Sequence, residues 1–376
     1  MTSRWNNHQV PPSENSPAKP MSRRTLVLAA STIGAAAPIG LIGGHVLAAG
    51  RTQLGPSASE LRPSLCLSTA DEASPRSDAP LKHVKLTWNA NAICTASVPV
   101  AVAHGIFAKH GLEVELINFG GSTDQLLEAI ATGKADAGIG MALRWLKPLE
   151  QGFDVRLTAG IHGGCMRLLA AKAAGISELQ DLRGKTIAVS DMGSPDKNFF
   201  SIALQKLGID PNNEVQWRQF PNDLLGLALQ KGEAQALTSG DPLAYLLRRQ
   251  HDLVEVATNL SGEYRDRVCC VLGVRGGLIR QDRATATALT RVLLEAGEWT
   301  ANNPDGAAAA FAPYSTASVE DLSAMLRSHT HHHHPVGDGL KREIALYADD
   351  LKLVAVMKSS TDSAKFADRI FADVAS

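Results

Sequence analysis

Sulfur and imidazole side chains are the most chemically distinctive residues of this sequence. His162 and Cys165 lie three positions apart on a glycine-flanked stretch, and Cys269 and Cys270 are adjacent. A histidine run follows further along the chain, made of His329, His331, His332, His333 and His334. Thiolates, imidazoles and thioethers are the usual ligands of copper, zinc and iron. One hypothesis is therefore a transition-metal or metal-complex site, with the histidine run as its metal ligands.

The same residues also have structural explanations. A cysteine on an apolar strand is usually a core residue. Neighbouring side chains of a strand face opposite ways, so we do not expect Cys269 and Cys270 to line one site. A histidine run is often an exposed metal scavenger without defined geometry. Five cysteines and no Cys-x-x-Cys pair predict neither a disulfide scaffold nor a zinc ribbon.

Composition limits the classes of function. The chain has 376 residues, 44% hydrophobic and 20% charged, which is typical of a soluble protein with two lobes and a leader. A net charge of -1 and an aromatic content of 5% argue against nucleic-acid binding. The sequence has no Gly-x-Ser-x-Gly, His-Glu-x-x-His, P-loop or dinucleotide fingerprint, so no catalytic motif predicts an enzyme.

The amino-terminal segment predicts export. Arg23 and Arg24 precede a long apolar stretch, 26–50, which contains no charged residue and ends in small residues suited to signal-peptidase cleavage. The adjacent arginines resemble a twin-arginine signal, which implies the twin-arginine translocase and the periplasm. An uncleaved membrane anchor is the alternative, since the stretch is long enough to span a bilayer. We interpret 1–50 as the signal region and 51–81, rich in proline and serine, as a disordered tether.

Strand and helix patterns alternate through the mature part. The order strand, helix, strand, helix, strand occurs twice, at about 84–139 and at about 186–238, which indicates parallel sheets built from βαβ units. The predicted fold class is α/β, with two lobes that each hold a mostly parallel sheet with flanking helices. We place lobe 1 at 82–172, lobe 2 at 173–273, and a return to lobe 1 with carboxyl-terminal helices at 274–376.

Such a fold predicts a ligand site beyond the strand ends, where helix amino termini and glycines suit an anion or an acceptor-rich ligand. Ser122 and Asp241 have the alternative role of helix caps, and Asn89 and Asn91 that of turn residues. Arg144 is expected on a solvated helix face. The candidate ligand-binding residues at these ends are Asn89, Asn91, Cys94, Gly121, Ser122, Met141, His162, Cys165, Asp191, Ser194 and Asp241.

Four segments carry a family resemblance, at 101–114, 133–140, 181–189 and 232–236. In this order and spacing, 82–376 resembles the periplasmic substrate-binding proteins of nitrate/sulfonate/taurine-type ABC importers, which include thiamine-pyrimidine-related proteins. The resemblance implies the type II periplasmic-binding-protein fold. It also implies a monomer that captures a small anionic or heteroaromatic solute for a membrane permease, without catalysis or a required cofactor. The alternatives are a Cys/His-dependent binder of a metal or metal complex, and a thiamine-pyrimidine-synthase-like enzyme.

Overall fold

The computed structural model describes residues 80–119, 123–329 and 332–375. These residues belong to one unit, which spans 73–376. The predicted signal region, nearly all of the predicted tether, Gly121, Ser122 and His331 lie outside the described residues. Among the helices of the described ranges, none is both long enough and apolar enough to cross a membrane.

Ten strands in the described residues form two five-stranded sheets. The strands are β1 (Lys82–Trp88), β2 (Leu112–Asn118), β3 (Ala137–Met141), β4 (Val155–His162), β5 (Met166–Ala171), β6 (Thr186–Val189), β7 (Gln216–Gln219), β8 (Ala236–Gly240), β9 (Leu253–Thr258) and β10 (Cys270–Arg275). The first sheet has the order β2-β1-β3-β10-β4, and the second has the order β7-β6-β8-β5-β9.

Each sheet contains one strand that runs against the others. β1 pairs in parallel with β2 and β3, whereas β10 is antiparallel to β3 and β4. In the second sheet β6 pairs in parallel with β7 and β8, whereas β5 is antiparallel to β8 and β9. The remaining four strands of each sheet therefore share one direction, and the predicted α/β class with mostly parallel sheets is confirmed.

The antiparallel strands, β5 and β10, are the first strands that the chain forms after it passes from one sheet to the other. The chain leaves β4 at His162 and enters the second sheet at Met166, and it returns to the first sheet at Cys270. The predicted lobe boundary at 172/173 lies after β5 and the one at 273/274 lies inside β10, whereas the chain passes between the sheets before each of these strands. Both strands are short apolar runs, and such a run does not indicate which sheet it joins.

Helices accompany both sheets. In the described residues they are α1 (Ser97–Ala103), α2 (Ile106–Lys109), α3 (Thr123–Ala131), α4 (Ala142–Glu150), α5 (Pro195–Lys206), α6 (Leu225–Gln230), α7 (Leu243–Gln250), α8 (Gly276–Gln281), α9 (Arg283–Asn302), α10 (Pro304–Phe311), α11 (Val319–Ser328), α12 (Gly337–Leu353) and α13 (Ser363–Ile370). In the carboxyl-terminal part, α9 packs against α1 and β4, and α12 packs against both α4 and α5.

Local sequence explains several helix ends. Ser194 accepts a hydrogen bond from the Lys197 backbone N–H at 3.3 Å, and Pro195 occupies the first position of α5. Ser318 caps α11 through the Asp321 N–H at 3.1 Å. The pattern at 98–110 suggests one helix, but the structure has α1 and α2. Gly105 separates them because its φ of 64° lies in the left-handed region.

Candidate binding cavity

A cavity of about 400 Å³ lies at the strand ends of both sheets. Eight of the predicted ligand-binding residues line it: Asn89, Asn91, Cys94, Met141, Cys165, Asp191, Ser194 and Asp241. They lie at or just after the ends of β1, β3, β4, β6 and β8. Ligands of α/β sheets bind beyond strand ends, and this rule predicted that these residues lie close together. His162 instead lines a neighbouring cavity of about 10 Å³, together with Cys94 and His334. Whether these residues contact a ligand stays a prediction.

The loop after β1 is a tight turn. The Asn89 side-chain oxygen accepts a hydrogen bond from the Asn91 N–H at 2.9 Å. The Asn89 carbonyl accepts hydrogen bonds from the Ala92 N–H at 3.1 Å and from the Thr95 hydroxyl at 2.9 Å. Asn89 thus shapes a turn, as the alternative interpretation expects, and the same turn lines the cavity.

A buried ionic network surrounds Asp241. Its carboxylate accepts hydrogen bonds from Arg167 Nη2 at 2.8 Å and from His329 Nε2 at 2.9 Å, and the side chains of Asp241 and His329 are fully buried. Oδ1 also accepts the Tyr245 backbone N–H at 3.0 Å, which supports the first turn of α7. Although burial raises the pKa of Asp241, the hydrogen bonds from His329 and Arg167 outweigh it and lower the pKa.

An ion-pair bridge beside the cavity connects the two lobes. Arg144 of α4 donates from Nε to Asp124 Oδ1 at 2.7 Å and from Nη2 to Asp191 Oδ2 at 3.0 Å. Its side chain is only 16% exposed, so the expected solvated position is wrong. Gly193 accommodates this guanidinium, because a Cβ at that position would lie 1.6 Å from Arg144 Nη1. Sequence reasoning missed this bridge, although the glycine two residues after Asp191 was a signal for it.

The cavity lining is acidic and partly apolar. Four carboxyl groups lie among the residues that line it, those of Asp191, Asp196, Asp223 and Asp241. The described lining contains no Lys, Arg or His side chain. Tyr314 also lines the cavity and is 41% exposed, and its aromatic ring is held edge-on against Trp88 with 4.9 Å between the ring centroids. A lining with carboxyl groups and no basic side chain differs from the anion site that the sequence analysis predicted at the strand ends.

Four buried thiols form a closed ring of contacts beside the cavity. Cys94 is in hydrogen-bonding contact with Cys165 and Cys270, and Cys269 with Cys165 and Cys270. All four are free thiols. Hydrogen bonds from Cys165 and Cys270 lower the pKa of Cys94 to about 6. The contact with Cys165, together with burial, raises the pKa of Cys269 well above its usual range.

Cys269 and Cys270 both contact thiols of this ring, although neither lines the cavity. β10 begins only at Cys270, and its pairing with β4 shifts register between Cys270 and Val271. The Cys269 N–H donates to the His162 carbonyl at 2.8 Å. Side-chain alternation holds inside a regular strand, and this pair lies at an irregular strand start.

The histidine run lies in several different environments. His329 belongs to the Asp241 network, His332 is exposed, and His333 Nε2 lies 2.5 Å from Glu343 Oε1. Burial lowers the pKa of His334, which packs against Gly297. No group of three or more His, Cys, Asp or Glu within the described ranges is arranged to hold a metal ion. The metal role of the run stays a prediction.

Comparisons with known proteins agree with this architecture. The aliphatic sulphonate-binding protein SsuA of Escherichia coli has a TM-score of 0.66 at 16% identity, over 78% of this chain and 93% of that one. SsuA of Xanthomonas axonopodis pv. citri bound to MOPS has a TM-score of 0.64 at 17% identity, with 77% and 98% covered. The nitrate-binding protein NrtA of Synechocystis PCC 6803 has a TM-score of 0.64 at 14% identity, with 77% and 86% covered.

Sequence comparison assigns the family. No curated protein sequence matches the chain significantly. Residues 77–313, more than half of the chain, match the NMT1-like family. The TM-scores show that the chain has the same fold as these periplasmic binding proteins. The chain belongs to the NMT1-like family and has the periplasmic-binding-protein fold.

Proposed function

We propose that this protein is the exported solute-binding component of an ABC importer. The observation that carries the proposal is the cavity of about 400 Å³, which residues of both sheets line at their strand ends. Such a volume suits a small molecule. The crossings at 163–165 and 259–269 are the chain connections about which two lobes can close on a solute. The family and the structural neighbours support a binding role rather than catalysis.

The solute we propose is an uncharged or cationic heteroaromatic compound. The sequence left small anions and heteroaromatic compounds open. The described lining holds four carboxyl groups and no basic side chain, so nitrate or a sulfonate would be desolvated there without a cationic side chain to compensate it. Arg167 and Arg144 lie outside this lining and already pair with Asp241 and Asp191. The exposed Tyr314 ring, held in place by Trp88, is a surface on which a heteroaromatic ring can stack.

Calorimetric titration of the unliganded protein tests both parts of this proposal. We expect cytosine or thiamine to bind, and methanesulfonate and nitrate not to bind. Tyr314→Ala should weaken binding of the ring compound about 3- to 10-fold through lost stacking. Tyr245→Ala is the matched control, since Tyr245 lies on α7 beside Arg248 and does not line the cavity. Binding of the two anions but of neither ring compound would contradict the solute class.

Export and delivery complete the proposal. A monomer leaves the cytoplasm through the twin-arginine translocase, operates in the periplasm and passes its solute to a membrane permease. The support is the Arg23–Arg24 pair before the apolar stretch, together with the periplasmic origin of the structural neighbours. Cell fractionation of Arg23→Lys/Arg24→Lys tests the route.

A further inference from the structure

We propose that Cys94 and Cys165 form a redox-active thiol pair that exchanges with low-molecular-weight disulfides entering the cavity. This site is additional to solute binding and does not depend on which solute the protein carries. The oxidised state would be a Cys94–Cys165 disulfide, and the reduced state is the pair of thiols in the structure.

Access to the cavity distinguishes this pair within the thiol ring. Of the four described cysteines, Cys94 and Cys165 line the cavity of about 400 Å³, and Cys269 and Cys270 do not. Cys94 and Cys165 are each only 2% exposed, so a small molecule reaches them through the cavity and a protein does not. Gly240 also lines the cavity, and a Cβ there would lie 3.7 Å from Cys165 Sγ, so no side chain at this position covers the sulfur.

The surroundings of Cys94 make it the attacking group. Only a thiolate attacks a disulfide efficiently. Hydrogen bonds from Cys165 and Cys270 lower the pKa of Cys94, whereas the pKa of Cys165 is raised, so Cys94 is the more readily ionised of the two cavity thiols. A thiolate in contact with a second thiol is the arrangement that lets a mixed disulfide resolve inside one protein.

Cys165 is suited to the second step. A hydrogen bond from Cys269 favours the Cys165 thiolate, but contact with Cys94 and burial raise the pKa of Cys165 well above its usual range. Once Cys94 has formed a mixed disulfide, its negative charge is gone, while the Cys269 hydrogen bond remains. Cys165 then loses its proton more readily, so the order of the two steps follows from the contacts. Cys269 acts through Cys165 and is a positioning residue.

The exchange balances in atoms and electrons. The Cys94 thiolate attacks one sulfur of a small disulfide, whose sulfur–sulfur bond breaks, and the first small thiolate leaves and takes a proton from solvent. The Cys165 thiolate then attacks Cys94 Sγ and releases the second small thiolate, which takes up a proton equivalent to the one Cys165 lost. Two electrons pass from the protein thiols to the small disulfide, which becomes two thiols.

The test uses the full chain with Cys66→Ser, which removes the fifth cysteine from all forms compared. Reduced protein is mixed with bis(2-hydroxyethyl) disulfide, quenched by alkylation and mapped by peptide mass spectrometry. We expect a Cys94–Cys165 cross-link and an initial rate whose midpoint lies at a lower pH than that of an ordinary thiol. An unperturbed thiol would give a midpoint near 8.5.

Single variants separate the two steps. Cys165→Ser should accumulate the mixed disulfide on Cys94, whereas Cys94→Ser should lower the initial rate at least tenfold. Cys269→Ser should leave the first step unchanged and slow only the second. A cross-link between any other pair, four free thiols after exposure, or an unchanged rate in Cys94→Ser would overturn the proposal. The assay contains no transported solute, so its outcome is separate from that of the solute titration.

Discussion

Replacing Asp241 with asparagine tests the buried ionic network most directly. Asp241→Asn keeps the shape of the side chain but removes the charge that faces Arg167 and His329. Breaking a buried ion pair from one side costs about 3–5 kcal/mol, because the other charge stays buried without compensation. Arg167 retains Glu255 at 2.5 Å, so the expected loss lies at the low end of this range, at about 3 kcal/mol of unfolding free energy. Urea unfolding at pH 7 measures this loss.

The matched control is Asp223→Asn, which removes an exposed carboxylate from the same cavity and should change stability by less than about 0.5 kcal/mol. Equal stability of the two variants would refute the reasoning. The pH dependence gives a second check. Because the pKa of Asp241 is lowered in the folded state, its contribution is fully present above the ordinary aspartate pKa of about 4. The contribution is lost as the pH falls through the lowered pKa, so wild type and Asp241→Asn should converge in acid.

Three further outcomes are expected. Gly140→Ala should lower the unfolding free energy by about 1–3 kcal/mol, since a Cβ there would lie 2.1 Å from the Trp145 ring; an unchanged urea midpoint would contradict this. Arg144→Gln should change unfolding by less than about 1 kcal/mol yet increase the radius of gyration in X-ray scattering, because the partly exposed bridge joins the lobes. Identical scattering curves would show that the bridge does not control opening. Arg23→Lys/Arg24→Lys should keep the protein in the cytoplasm, and its normal appearance in a periplasmic extract would exclude this export route.

Local patterns in the sequence predict much of this fold and part of the cavity. Strand alternation and helix caps such as Ser318 depend on neighbours within a few residues, so the sequence displays them directly. The rule that ligands bind beyond strand ends then predicts that residues as distant as Asn89 and Asp241 line one cavity. This rule depends on sheet topology and not on sequence separation.

Contacts between distant segments were not predictable in this way. The bridge from Arg144 to Asp191 and the bond from His329 to Asp241 join polar residues 47 and 88 positions apart, and many other pairings were equally compatible with the sequence. The thiol ring was missed for a different reason. The rule of alternating side chains was applied to Cys269, which lies one residue before the strand begins.

The contrast between the two ionic contacts has a mechanical consequence. The Asp241–His329 pair joins the second lobe to the segment after α11 and is fully buried, so pulling it apart would leave charge without water. The Arg144–Asp191 pair is partly exposed and separates at little cost. We therefore expect the two lobes to rotate about an axis close to Asp241, while the Arg144–Asp191 pair separates when the cavity opens. Opening of the cavity then requires only the Arg144–Asp191 pair to separate.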